Sequence, residues 1–430
     1  MESIFQDFFL LGDPNVRWVL AGTILLSLSA GILGCFTILR RRALVGDAVA
    51  HAVLPGVALA FIVAGDKNPI ILLIGAVIFG WIAMLVMESV ILKTKISTDT
   101  SIGMVLSVFF GLGVVLLSYI QNSGNVNQSG LDAFLFGNAA SMLPFDIMVF
   151  SIVSLIVILL VLVNYKEFKL ISFDPAFGVS TGLKQKRFEF LMATLLVLTI
   201  TAGLQAVGVV LMASMLIIPA AAARYWTDSL SIMLIVSGMV GVFAAIVGSF
   251  VSFTAPSMPT GPWMVVAAAI IFVISLLFSP SKGLVRKSIE KRKHQEKAES
   301  ENILKRLYKL GLKNQTNKNS AVLMEKLSAK TNLALSKVDK IINKLIKRGY
   351  VQIEGGLLLL TEAGNKEAER VIRAHRLWEL YLTERLNLKH DHVHDDAESM
   401  EHFITPELEE ELMKLLGKPE KDPHQSQIPY

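Results

Sequence analysis

The sequence has little cysteine and little charge. Its single cysteine, Cys35, excludes a disulfide framework and a zinc site built from cysteines. Only 18% of the 430 residues are charged and 53% are hydrophobic, whereas an average soluble domain is ~25% charged. The shortage is confined to residues 1–281, which hold 13 basic and 13 acidic side chains, while 282–430 hold 28 and 23. These counts predict a membrane-embedded part followed by a water-exposed part.

Two sequence features that are absent narrow the function further. No G-x-x-x-x-G-K-[ST] phosphate loop occurs, so we do not expect the chain to be its own ATPase. Residues 1–16 contain no Lys or Arg, which argues against a cleavable signal with a basic amino-terminal region. No catalytic residues are predicted, and the expected class is a non-enzyme.

Nine long apolar runs follow one another in the first 280 residues. Each is close to the ~20 residues that cross a bilayer core as a helix. They lie near 17–39, 48–65, 70–92, 101–120, 144–164, 188–202, 206–223, 230–253 and 262–280. The pattern predicts an all-α polytopic membrane protein with about nine transmembrane helices, in which only residues 203–205 separate the sixth and seventh spans.

Positive charge is concentrated in every second loop. The basic loops contain Arg40 to Arg42, Lys93 and Lys95, Lys166 to Arg187, Arg224, and the chain after the last span. Loops rich in Lys and Arg stay in the cytoplasm. Nine spans therefore predict an outside amino terminus and a cytoplasmic carboxyl-terminal domain in the plasma membrane of a bacterium.

Among the eight histidines, His51 alone lies in the apolar part, four residues after Asp47. On a helix, residues four apart share a face, and a carboxylate with a neutral imidazole suits a first-row divalent cation. A buried Asp–His hydrogen bond, or a helix N-cap at Asp47, explains the same pair without metal. Two ligands alone do not establish a site, so both interpretations remain open.

Several segments in this part carry a family resemblance. They are Gly46-Asp47-Ala48 with His51-Ala52-Val53-Leu54-Pro55-Gly56, Asp99-x-x-Ile102-Gly103, Leu135-Phe136-Gly137, Phe173-Asp174-Pro175 with Gly178, and Leu204-Gln205-x-Val207-Gly208 leading to Pro219-Ala220-Ala221. In this order they resemble the permease subunits of bacterial ABC importers for manganese, zinc and iron. The resemblance covers about 1–280. It implies a helical permease whose inward-facing Asp and His side chains pass a divalent ion.

One position departs from this family. Its members usually have an aspartate before the turn that precedes the last span, and here Ser257 stands in that place. A neutral hydroxyl is a poorer ligand for a hard cation than a carboxylate. Either the chain supplies a weakened half-site, or a second, non-identical permease supplies the stronger set. The heterodimer is favoured, and a homodimer stays open.

The loop before Arg187 is the expected contact with the ATPase. Asp174 and Pro175 start a helix there, and Gly178 and Gly182 follow. By family resemblance this loop is the coupling element that rests on a separate ATP-binding subunit. A simple basic loop that only sets topology is the alternative.

The charged part predicts a winged helix-turn-helix at 301–363, after a basic linker at 282–300. Its helices are expected at 302–312, 321–329 and 335–348, with two short strands around Gly355 and Gly356. Lys337, Lys340 and Lys344 face outward on the recognition helix, where they could contact phosphate. No Arg, Gln or aromatic residue stands ready to read bases, so protein interaction is the favoured role over DNA binding.

The following segment, 364–415, resembles the metal-sensing and dimerisation region of the diphtheria-toxin-repressor family. The matching residues are His375, Glu379, His394, Glu398, Glu401 and His402. Carried over, His375, Glu398, Glu401 and His402 fall on one metal site, and Glu379 with His394 fall on a neighbouring one. A carboxylate at Glu398 is the pattern of manganese sensors. Residues 416–430 are predicted to be a disordered tail.

Two positions before this segment limit the resemblance. The family expects metal ligands near 302 and 305, and this chain has Asn302 and Lys305. An ammonium offers no free lone pair. Lys305 could instead occupy the site as a built-in cation, paired with Glu398 and Glu401. A working metal site and a metal-free dimerisation module therefore both stay open.

Together these features predict the permease subunit of an ABC importer for manganese, with zinc or iron as alternatives. The expected partners are an ATP-binding subunit, a metal-binding lipoprotein receptor and a second permease chain. No tightly bound cofactor is expected, manganese being the substrate and a candidate ligand of the tail. A membrane-tethered, metal-responsive transcriptional regulator is the alternative from another class.

Overall fold

The apolar runs fold as helices because, in lipid, a helix satisfies its own backbone hydrogen bonds. The computed structural model describes residues 8, 14–66, 68–122, 137, 142–254, 258–313, 320–386 and 400–430. The chain divides into two units, Met1–Arg286 and Lys287–Tyr430.

In the described residues of the first unit, helices are the only regular secondary structure. Its helices are α1 (Pro14–Leu39), α2 (Val45–Ala64), α3 (Pro69–Lys93), α4 (Thr98–Asn122), α5 (Pro144–Val163), α6 (Tyr165–Phe173), α7 (Pro175–Ser180), α8 (Gln185–Val207), α9 (Val209–Trp226), α10 (Leu230–Thr254) and α11 (Thr260–Phe278). Among the described residues, eight helices are long and apolar enough to cross a membrane. The seventh predicted span is α9, an apolar helix of 18 residues. The prediction of an all-α polytopic protein is confirmed.

The boundary between the sixth and seventh spans differs from the prediction. Residues 203–205 continue α8, and the break falls at Gly208, whose φ of 86° suits a residue without a side chain. A Cβ on Gly137 would lie 2.3 Å from the carbonyl carbon of Val207. Two glycines that are far apart in the sequence therefore meet at this break.

Helices α1, α9 and α10 pack with their backbones in contact. A Cβ on Gly34 would lie 1.8 Å from the backbone oxygen of Leu216, and one on Gly31 would lie 2.9 Å from that of Ser237. Small residues allow this close approach between membrane helices. The hydroxyl of Ser237 also donates to the carbonyl of Gly31 over 2.7 Å.

Polar contacts place the basic loops at one end of this bundle. Arg40, after α1, pairs with Glu189 at the start of α8 over 2.5 Å, and Arg42 pairs with Glu88 near the end of α3. Asp228, after α9, pairs with Lys282, after α11. The ends of these helices therefore face the same side.

The second unit contains a winged helix and two further helices. They are α12 (Leu284–Lys313, which begins in the first unit), α13 (Ser320–Thr331), α14 (Leu335–Lys347), β1 (Val351–Glu354), β2 (Leu357–Leu360), α15 (Glu362–Glu384) and α16 (Pro406–Leu416). The strands pair antiparallel, with Glu354 opposite Leu357. Gly355 and Gly356 both have positive φ, as a two-residue hairpin turn requires. The predicted winged helix is present.

The last residues are folded, so the prediction of a disordered tail over 416–430 is wrong. Ile428 is buried and packs in the core beside α15 and α16. The carboxylate of Asp422 accepts hydrogen bonds from the backbone N–H groups of His424 and Ser426, and Arg373 donates to the carbonyl of Pro429. This polar segment is ordered by one apolar anchor and a few specific hydrogen bonds, which composition does not reveal.

Candidate metal path and the buried cluster of the tail

Asp47 and His51 lie on one face of α2, one helical turn apart. Asp47 Oδ1 is 3.5 Å from His51 Nε2, beyond the ~2.7–3.2 Å of a well-formed N–H···O bond. The N-cap of α2 is Leu44, and Asp47 is the third helical residue. Neither of the two metal-free interpretations therefore describes this pair well.

Two atoms of His51 that could bind a metal ion lack a usual hydrogen-bond partner in the described part of the chain. Its Nδ1 is buried and has no hydrogen-bond partner among the described residues. The ring of Phe110 lies edge-on to the imidazole at 4.8 Å. Pro55 has no N–H, so the carbonyl of His51 does not receive the usual helical bond from four residues ahead. The sequence reasoning quoted Pro55 only as part of a motif and missed Phe110, which comes from another helix.

The pair is accessible but incomplete as a closed metal site. The side chains of Asp47 and His51 are 33% and 15% exposed. Within the described part of the chain, no group of three or more His, Cys, Asp or Glu side chains could hold a metal ion. Ser257, the third predicted residue of the path, lies outside the described residues. Two side chains from one chain suit transient contact with a metal ion better than stable binding of that ion.

The predicted coupling residues form a short capped helix. Asp174 accepts a hydrogen bond from the backbone N–H of Phe177 over 2.9 Å, and Pro175 is the first residue of α7. Gly178 is buried, and Gly182 ends the turn with a φ of 84°. Because Asp174 is an N-cap and Pro fits the first helical position, this loop has a defined shape at the basic end of the bundle.

In the tail, the structure brings four of the predicted ligands together with Lys305. His375 Nδ1 is 2.6 Å from Glu401 Oε2, and His375 Nε2 is 3.2 Å from Glu379 Oε1. Lys305 Nζ donates to both carboxylate oxygens of Glu401, at 2.6 and 2.9 Å. His402 Nε2 lies 3.6 Å from Glu401. Glu398 and His394 lie outside the described residues.

Glu301 belongs to the same cluster, and the sequence reasoning missed it. Its carboxylate is 2.7 Å from His402 Nδ1 and 3.3 Å from Arg370. Glu301 lies one turn before Lys305 on α12, so both side chains leave the same helix face. The spacing of Glu301 and Lys305 was the signal in the sequence that could have identified Glu301.

Electrostatics in this cluster favour charged groups in spite of burial. Burial works against the protonation of His375, yet hydrogen bonds to Glu379 and Glu401 outweigh it and raise the pKa of this imidazole. Burial also works against ionisation of Glu401, but the hydrogen bond from His375 and the charge of Lys305 outweigh it and lower the pKa of this carboxyl. Both shifts favour an ionised carboxylate at Glu401 and a protonated ring at His375.

This arrangement does not fit a bound metal ion. Lys305 donates to both oxygens of Glu401, and an ammonium cannot ligate a metal ion. Both ring nitrogens of His375 lie within 3.2 Å of carboxylate oxygens. A metal ion at Glu401 would therefore have to displace the ammonium of Lys305.

The recognition helix α14 has acidic neighbours on its outer face. Lys337 pairs with Glu299, and Lys344 pairs with Glu296, both on α12. Lys340 is exposed. Two of the three lysines predicted for phosphate contact are thus already paired within the unit, which weakens the case for DNA binding.

Known proteins resemble both parts of the chain. Residues 13–279 match the ABC 3 transport family, and residues 361–430 match the iron dependent repressor, metal binding and dimerisation domain. The manganese transport system membrane protein MntC of Bacillus subtilis is 38% identical over 420 residues, which are 96% of this chain and 95% of that protein. The zinc transport system membrane protein TroC of Treponema pallidum is 39% identical over 276 residues, 64% of this chain and 93% of that protein.

A solved structure gives the same result for the membrane unit. The structure of PsaBC from Streptococcus pneumoniae in complex with Fab aligns with a TM-score of 0.58 and 31% identity, covering 67% of this chain and 99% of that one. Fold, site and relatives define a multi-pass membrane permease of a metal ABC importer. The chain belongs to the ABC 3 transport family and carries a repressor-like domain at its carboxyl end. It is not an enzyme, since ATP hydrolysis belongs to a separate subunit.

Proposed function

We propose that this permease carries Mn²⁺ across the membrane and that Asp47 and His51 contact the ion on its way. The observation that carries the proposal is the open pair itself, in which His51 Nδ1 is buried without a partner and the Asp47–His51 distance exceeds a hydrogen bond. A carboxylate and a carbonyl are oxygen donors that suit Mn²⁺, and imidazole tolerates it. The manganese transport named for the relative that matches 96% of this chain supports the same substrate over zinc or iron.

Weak binding is part of the proposed mechanism. An ion that crosses must be released, so a path with few ligands is preferable to a closed cage. The polar groups of α2 replace part of the hydration shell that the ion loses on entering the apolar bundle. Without such replacement, the loss of this shell costs much free energy. Ser257 of this chain adds at most a hydroxyl, so a second, non-identical permease is the favoured source of further carboxylates, with a homodimer as the alternative.

The orientation follows from the basic loops. Arg40, Arg42 and the loop from Lys166 to Arg187 belong to helix ends at one side of the bundle. Because basic loops remain in the cytoplasm, we place this side and the carboxyl-terminal unit there, with the amino terminus outside. The capped helix α7 is then positioned to rest on the ATP-binding subunit, and a metal-binding lipoprotein delivers the ion from outside.

Uptake of radioactive manganese and zinc tests the proposal. Cells that carry Asp47→Ala or His51→Ala, together with all partner subunits, should lose at least ~10-fold in manganese uptake, since removal of metal-site groups costs about 10–100-fold. Asp228→Asn is the matched control, because this carboxylate pairs with Arg224 and Lys282 at the end of the bundle. Normal manganese uptake by both alanine variants, at equal membrane levels, would remove the pair from the mechanism.

A further inference from the structure

The tail cluster has the residue types of a metal site and yet is filled by the chain itself. Lys305 is 9% exposed in its side chain and Glu401 is 0% exposed, so their contact is shielded from water. An unpaired charge in such a place is strongly destabilising. Something positive must therefore remain beside Glu401 whenever the tail is folded.

Lys305 meets that requirement by geometry. Its ammonium reaches both oxygens of Glu401, at 2.6 and 2.9 Å, and it comes from α12, whereas Glu401 lies after α15. The contact joins residues 96 positions apart. One ammonium thus performs the cross-linking between helices that a divalent ion performs when its ligands come from several elements.

The remaining members of the cluster complete a set of paired charges. The carboxylates of Glu379 and Glu401 face the two nitrogens of His375. Glu301 faces His402 and Arg370. Each of these three buried carboxylates has at least one nitrogen partner within 3.3 Å.

We propose that Lys305 is a built-in substitute for a metal ion, so that the tail of this permease folds without metal and does not sense divalent metal through Glu401, His375 and His402. The winged-helix unit then keeps one state at all cytosolic metal levels. This inference concerns the tail alone and does not depend on the transported ion.

Binding of Mn²⁺ to the purified full-length chain in lipid nanodiscs tests the proposal, with loss of the free-ion electron paramagnetic resonance signal as the readout. The chain used for this measurement, called the background chain, carries Asp47→Ala and His51→Ala, which remove the two candidate metal ligands of the membrane unit. We expect this chain to bind no Mn²⁺ at micromolar concentrations. Retention of one Mn²⁺ that a further Glu401→Gln change removes would overturn the proposal.

Lys305→Met in the same background gives the converse result. Without the ammonium, Glu401 and His375 become available, and the affinity for Mn²⁺ should rise at least 10-fold over the background chain. Lys293→Met, on the same helix and exposed, is the matched control and should change nothing. A folded Lys305→Met chain that gains no affinity would contradict the proposal.

Hydrogen exchange of α15 covers the case in which Lys305→Met does not fold. Exchange that is fast without metal and slow with Mn²⁺ shows the ion replacing the lysine and supports the proposal. Lys305→Arg retains the charge, so its α15 should stay protected in the absence of metal. Fast exchange in Lys305→Met that Mn²⁺ leaves unchanged would count against the proposal, because the ion would then not replace the lysine.

Discussion

The Asp47–His51 pair of the membrane unit and the Glu401–His375 pair of the tail differ in what completes them. In the membrane unit, Asp47 and His51 stand 3.5 Å apart, and a ring nitrogen of His51 lacks a partner. In the tail, Glu401 and His375 stand 2.6 Å apart, and Lys305 completes the set. The same residue types thus form an open pair in the membrane unit and a cluster closed by Lys305 in the tail.

The strongest test of this difference is to close the open pair. Phe110→Lys places an ammonium beside His51, as Lys305 lies beside Glu401. We expect manganese uptake to fall at least ~10-fold, the scale on which disturbed metal sites lose function, because a fixed cation repels the passing one. Uptake of radioactive manganese at matched membrane levels is the measurement.

Phe109→Lys is the control for this change. Phe109 is half-buried like Phe110, neighbours it on α4 and contacts Phe79. Both variants carry the cost of a lysine in a membrane helix, and only Phe110→Lys places it against His51. Equal loss in the two variants would show that the charge acts through folding and not through the ion path.

The second test opens the closed cluster. Glu401→Gln leaves the ammonium of Lys305 buried without its carboxylate, which should destabilise the tail by about 3–5 kcal/mol. Faster hydrogen exchange of α15 in the full-length chain is the readout. Glu362→Gln breaks an exposed pair with Lys366 and should change exchange little. Unaltered protection in Glu401→Gln would mean that the cluster contributes nothing to folding.

Removing one helix N-cap in each unit compares the two units through smaller changes in stability. Asp174 caps α7 and Thr361 caps α15, each through one backbone N–H. Their replacement by Ala should cost each helix about 1 kcal/mol. Asp174→Ala should weaken the coupling of ATP hydrolysis to transport severalfold, whereas Thr361→Ala should leave transport and ATPase rates unchanged. The reverse outcome would move the coupling role out of α7.

The smallest effect is expected on the outer face of α14. Lys337→Ala and Lys344→Ala remove exposed pairs with Glu299 and Glu296, which contribute little to stability because water and salt screen exposed ion pairs. Neither variant should alter manganese uptake. In a gel-shift experiment, the full-length chain should bind duplexes of its own promoter no better than unrelated DNA. Specific retardation that Lys340→Ala abolishes would restore the DNA-binding alternative.

Much of the fold could be predicted because its causes are local. Apolar runs fix the membrane helices, and Gly355 with Gly356 fixes the turn of the wing. The predicted break between α8 and α9 was misplaced, because the actual break is at Gly208, where the backbone packs against Gly137 from a distant segment. The order of residues 416–430 was also missed, since a single buried Ile428 decides it.

The sites divide in the same way. The helical spacing of Asp47 and His51 could be read directly, since both belong to one helix. Phe110 could not be found in this manner, because its contact with His51 joins two separate helices. Lys305 was visible as a residue that does not bind metal, but only the packing of α12 against the segment at Glu401 shows that its ammonium lies between the predicted ligands.

The contact of α1 with α9 and α10 restricts how the membrane unit can open and close. At Gly34 and Gly31 there is no layer of side chains that could slide or exchange rotamers, because one backbone rests directly on the next. We expect these three helices to move together during the transport cycle. A spectroscopic distance between labels on α1 and α10 should then stay constant through the cycle.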